Sequence, residues 1–228
     1  MRISVRAASV AAFLIVVGFL IHNVNALWLE PTYLGFEDKA KDYGDMAKIE
    51  NALWSFSFTS SGISHIVVGF SMMFLGLGVS DLFRQAHSAA ARLILLSAVL
   101  SGIGFLLTGI SDIPGTLYGG ILRDLNADYN VTILLITTMF RGIVNVMAIA
   151  CLGWFAGQVA WCTLKTGLFP KWFGYYGWVN VLPGVMSLVF PPAGFAYIQL
   201  YPIWMAALGV FLRREAAVNI GVEPQLHS

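Results

Sequence analysis

Hydrophobic positions along this chain gather into long runs separated by short polar breaks. Six runs stand out, at 8–28, 52–79, 93–112, 131–158, 172–190 and 194–212. Each is near the ~20 residues that a helix needs to cross a hydrocarbon core. Ten-residue segments of alternating polarity, the mark of an outer-membrane barrel, are not the pattern here. Inside a bilayer every backbone N–H and C=O must find a protein partner, which an isolated helix provides for itself. The pattern therefore predicts an all-α, polytopic transmembrane helical bundle of about six helices. A single bundle domain is expected over residues 1–215, followed by a polar cytoplasmic tail over 216–228.

The breaks between the runs are informative. Between the first two, residues 28–50 place Phe36, Ala40, Tyr43 and Ala47 at helical spacing, with Met46 beside them and charged residues opposite. That predicts an amphipathic helix lying on the extracytoplasmic surface. It is either a plain anchor or, through residues 30–50, a docking surface for other membrane subunits. Pro114-Gly115 and Gly119-Gly120 predict a turn that ends the third helix. Pro183-Gly184 predicts a kink in the fifth, and Pro191-Pro192 a short hairpin into the sixth.

Composition agrees with a bilayer setting. The chain of 228 residues is 58% hydrophobic and 11% charged, against about 25% charged in soluble domains. A formal net charge of +1 gives no reason to expect a nucleic-acid partner. With the N-terminus in the cytoplasm, Arg2, Arg6, Arg84, Arg92, Lys165, Lys171, Arg213 and Arg214 fall inside, and only Lys39, Lys41, Lys48 and Arg123 outside. This asymmetry predicts an N-in, C-in integral protein of a bacterial inner membrane. Arg2, Arg6 and Val24-Asn25-Ala26 imitate a cleavable leader, but the first run is read as a retained helix. Cys151 and Cys162 stand about 16 Å apart on one helix, too far to join.

Candidate chemistry lies in the polar residues of the apolar runs. Arg141 is a permanent charge in the middle of the run from Val131 to Phe155, where a bare guanidinium costs at least ~3 kcal/mol. It needs a partner, a wet cavity or a ligand; Asp112 and Glu50 are the candidate acids, near the outer helix ends. Its planar fork also suits a carboxylate or phosphate. Thr138 and Asn145 share its helical face, and Asn180 on the fifth helix is another buried amide in search of partners. Serine and threonine stripes run along the second and third helices, through Ser57, Ser61, Ser64 and Ser71, and through Ser97, Ser101, Thr108 and Ser111. Such stripes usually serve close helix packing, as does Gly153-x-x-x-Gly157.

His22 and His65 are the intramembrane histidines. They could flank a haem, but their depths, counted from the predicted helix ends, differ by ~10 Å. No cofactor is expected, haem being the disfavoured alternative, and no metal site is expected.

At Gly167-Leu168-Phe169-Pro170-Lys171-Trp172-Phe173-Gly174-Tyr175-Tyr176-Gly177 the chain resembles the DUF4386 family of bacterial six-helix membrane proteins. That resemblance implies a six-helix fold and carries no activity and no site residues. The residues themselves predict a membrane binding or accessory protein whose polar interior, centred on Arg141 with Thr138, Asn145 and Asn180, holds an amphipathic or anionic small molecule. The alternative is an intramembrane enzyme acting on a lipophilic substrate, with Arg141 as anion anchor and Asp112 and His65 as the catalytic proton-transfer groups.

Overall fold

The computed structural model describes residues 2–35, 48, 56–125, 127–190 and 192–221. Among them the chain is all helical. Helix α1 (Arg2–Val24) passes through one π-helical turn (Asn25–Leu29) into the short α2 (Glu30–Leu34). It continues with α3 (Phe56–Phe83), α4 (Ser88–Leu125), α5 (Ala127–Thr166), α6 (Lys171–Met186) and α7 (Pro192–Gly221). Four stretches among the described residues are long and apolar enough to cross a membrane: Ser4–Tyr33, Thr59–Phe83, Ser88–Ile113 and Thr138–Thr166. The protein is therefore a helical membrane protein.

The long helices close into a ring in chain order: α1 packs on α3 and α7, α4 bridges α3 and α5, and α6 bridges α5 and α7. Neighbours run antiparallel, as specific contacts show. Ser9 Oγ donates to Gly209 O at one end of the α1–α7 seam, and Asn23 Nδ2 to Ile198 O at the other. In the α3–α4 seam, a Cβ placed on Gly76 would strike Ala98, and one on Gly109 would come within 2.5 Å of Gly62 O. The interior holds Ile15 and Phe19 of α1, Leu75 of α3, Phe105 of α4, Phe155 of α5 and Trp204 of α7, each almost fully buried. Large apolar side chains such as Leu14, Phe70, Ile143, Leu182 and Ile203 face outward, as lipid contact requires.

Several sequence expectations change. The first helix does not give way to a surface segment at Trp28. The π-helical turn carries it on to Leu34, where Gly35, at φ 66°, stops it in a left-handed cap. Of the amphipathic segment expected beyond, Phe36, Ala40, Tyr43, Met46 and Ala47 lie outside the described residues, as does Glu50. The turn expected at Pro114-Gly115 is not formed: α4 is one helix of 38 residues that runs through both. Proline there removes one hydrogen bond, to Ile110 O, but leaves the rest of the ladder intact, and continuing the helix satisfies more backbone than a turn at a membrane boundary would.

Pro183 does not interrupt α6, which ends three residues later at Met186. Pro192 opens α7 in the first-turn position that proline tolerates. The tail expected from 216 begins as helix: α7 reaches Gly221, with Ala216 buried. Pro202 lies inside α7 and deprives Ile198 O of its usual N–H donor. The Asn23 side chain reaches across from α1 to that same oxygen, at 3.4 Å.

Candidate functional site

The antiparallel ring brings residues far apart in sequence to one level. Gly62 on α3 faces α4 so closely that an added Cβ would lie 2.9 Å from Asp112 Cβ. One turn further along α3, His65 Nδ1 stands 3.2 Å from Asp112 Oδ2. The other carboxylate oxygen, Oδ1, pairs with Nε of Arg141 on α5. On the far side of His65, the His22 ring of α1 lies in direct contact, with centroids 5.1 Å apart. Phe105 of α4 stacks on His65, 6.0 Å between centroids and 18° between planes. Four ionisable side chains from four different helices thus form one row: His22, His65, Asp112, Arg141.

The row is graded in burial. The Asp112 side chain is fully enclosed and that of His65 nearly so, whereas the Arg141 side chain keeps 18% of its surface. Arg141 Nε–H can only donate. His65 Nδ1 donates to Asp112 Oδ2 when that nitrogen carries a proton, a contact that orients the ring. A carboxylate held between guanidinium and imidazole in a low-dielectric interior is strongly bound as long as both partners stay.

The row does not lie midway along the ring but toward the end away from Arg92 and Lys165. Counted along the helices, Asp112 is about 30 Å from Arg92, and Arg141 about 36 Å from Lys165. That is a whole hydrocarbon thickness from the basic ends. Nor do His22 and His65 differ in depth: α1 extends past the boundary from which its depth was counted, so the two rings meet. At their present spacing they touch each other directly, and a haem between them would require the rings to part. Among the described residues no group of three or more His, Cys, Asp or Glu side chains is arranged to hold a metal ion.

Compared with known protein families, curated proteins and solved structures, the chain matches none.

The other site candidates divide. Thr138 and Asn145 are half-buried on α5, three residues before Arg141 and four after it, on its side of the helix. Asn145 Oδ1 is enclosed and accepts no hydrogen bond among the described residues. Asn180 belongs elsewhere. Its helix packs on α5 where Gly153 meets Gly184 and Gly157 meets Val181, about 18 Å or more along α5 from Arg141. There its Nδ2 donates to Tyr176 O of its own helix.

Most of the hydroxyl stripes close on themselves as well. Ser64, Ser97, Thr108 and Ser111 donate to carbonyls three or four residues earlier, and Ser101 bridges to Ala148 O on α5. Each of these bonds is a helix contact or a back-bond within one helix.

Sequence reasoning passed over three buried polar features. Asn25, in the π-helical turn, donates to both Ser60 Oγ and Ser61 Oγ at 2.8 and 2.9 Å. Glu30, expected within the extracytoplasmic surface segment 30–50, is 4% exposed. Tyr197 and Tyr201 are fully buried and stacked, 5.0 Å between centroids, and neither hydroxyl has a hydrogen-bond partner among the described residues. Their signal was present in the i, i+4 spacing on an apolar helix, which fixes a shared face but not the enclosure of that face.

Proposed function

We propose that this chain is an integral membrane binding protein, acting alone or as an accessory subunit of a larger membrane assembly. Its polar interior, centred on Arg141, receives the head of an amphipathic or anionic small molecule. The carrying observation is the convergence of His22, His65, Asp112 and Arg141 from four helices. Withdrawing two charges and two imidazoles from water costs several kcal/mol per ion, and helix packing alone does not call for that chemistry. Arg141 is the charged member with surface still open, and Asn145 offers an unused acceptor one turn away. A ligand combining an anionic group with a hydroxyl or amine fits that pair.

The surrounding reading is of six crossings with both termini cytoplasmic in a bacterial inner membrane, with residues 30–50 on the outer face as docking surface. The closed antiparallel ring and the resemblance to the DUF4386 family at 167–177 support it. A second reading rests on one specific contact, that of His65 Nδ1 with Asp112. An imidazole oriented by a carboxylate is the arrangement of a general base, so the same row could move a proton on a lipophilic substrate anchored at Arg141.

Native mass spectrometry of protein gently extracted from its own membrane tests both. Wild type and Asn180→Ala should carry the same added mass, and Arg141→Met and Arg141→Lys should lose it. Under the second reading, His65→Gln retains an adduct of altered mass, the unconverted substrate. If wild type carries no adduct, or Arg141→Met carries the same one, the binding site is not at Arg141.

A further inference from the structure

At the opposite end of the ring from the ionisable row, α1 and α7 part to form a cleft of about 390 Å³. Ser9 and Gly209 pin the two helices together by the Ser9 Oγ to Gly209 O hydrogen bond of 2.8 Å. One turn beyond the pin on α1 is Arg6, and one turn beyond it on α7 is Arg213. Because the helices are antiparallel, these arginines face each other at one level across the opening, and both line it. Both are exposed, and no acidic side chain lines the cleft among the described residues. Arg84, at the same end of the ring, is by contrast tied to Asp81 at 2.7 Å.

The cleft changes character along its length. On the bilayer side its wall is Val10, 57% exposed, and Phe13, 36% exposed. It therefore has two guanidinium groups at the membrane boundary and an apolar wall running inward from them. A phosphodiester matches the first, since each guanidinium can give a phosphate two parallel hydrogen bonds. An acyl chain matches the second. Basic pockets between membrane helices on the cytoplasmic side have this affinity for anionic lipid headgroups.

We infer that the Arg6–Arg213 cleft between α1 and α7 is a binding site for an anionic phospholipid of the surrounding bilayer, its phosphate held by the two arginines and one acyl chain lying along Val10 and Phe13. The inference is independent of the reading given to Arg141, which lies at the other end of the ring.

The test uses full-length protein, delipidated in detergent and titrated with phosphatidylglycerol, phosphatidylcholine or inorganic phosphate, with retained adducts counted by native mass spectrometry. Wild type should retain phosphatidylglycerol roughly tenfold better than phosphatidylcholine. Arg6→Gln/Arg213→Gln should lose that preference and Arg84→Gln should keep it. Arg213→Gln alone serves if the double variant does not fold, and should show a reduced preference. Equal retention of the two lipids by wild type overturns the inference, as does a preference that survives removal of the arginines. Displacement of phosphatidylglycerol by an equal concentration of inorganic phosphate also overturns it, because the site would then be one for a free anion.

Discussion

The charge on Arg141 marks it in the sequence as a residue that must have a partner, and Asp112 was one of two acids able to reach it. What the sequence could not supply is the second face of that carboxylate. Whether His65 meets Asp112 depends on the register between α3 and α4, and whether His22 meets His65 on the register between α1 and α3. Both are tertiary quantities. The same ignorance of register grouped Asn180 with Arg141, although α6 packs against a different stretch of α5. The pairing has a measurable consequence. Arg141→Met leaves Asp112 enclosed with one partner, and should lower unfolding stability in detergent by about 3–5 kcal/mol. Removing both charges in Arg141→Met/Asp112→Leu should recover most of that loss, since apolar replacement of a buried pair is often neutral. A double variant that loses the sum of the two single-variant losses would mean that the two side chains are not energetically coupled.

At the scale of elements, the apolar runs located the long helices but misjudged where they stop. Proline and glycine carry a local preference for turns, and at Pro114-Gly115 that preference loses to the cost of breaking a helix ladder near a membrane. Glycine matters more where helices touch. Gly62 lies against α4, and an added methyl would come within 2.9 Å of both Asp112 Cβ and Ile113 Cγ1 and 3.2 Å of Gly109 O. Backbone cannot yield there without separating the helices that hold His65 against Asp112. Gly62→Ala should therefore destabilise by about 1–3 kcal/mol, the usual range for overpacking. Gly142 is the matched control, next to Arg141 in sequence, with nothing within 4 Å of an added Cβ. Gly142→Ala should raise stability by about 0.5–1 kcal/mol, from helix propensity alone. Thermal unfolding of the two variants in one detergent separates these effects: similar shifts of the same sign would show that the α3–α4 contact is not tight.

Across the whole molecule the two ends differ in kind. The antiparallel ring gathers Arg6, Arg84, Arg92, Lys165, Lys171, Arg213 and Arg214 at one end, and the row from His22 to Arg141 toward the other. The alternation of basic residues was readable in the sequence, because it requires only the order of the crossings. The convergence of the row was not, because it requires their mutual depth. If the basic end is cytoplasmic, the side on which lysine and arginine are usually retained, the row lies toward the outside and a ligand for Arg141 comes from there. Single cysteines decide the orientation, measured above the labelling of wild-type Cys151 and Cys162. Thr32→Cys, exposed beyond the π-helical turn, should react in intact cells with a maleimide that does not cross membranes. Gln85→Cys, exposed in the turn between α3 and α4, should react only after permeabilisation. The reverse pattern would place the arginine cleft outside and the ionisable row inside. A ligand for Arg141 would then have to be sought among cytoplasmic molecules, and the lipid for Arg6 and Arg213 in the opposite leaflet.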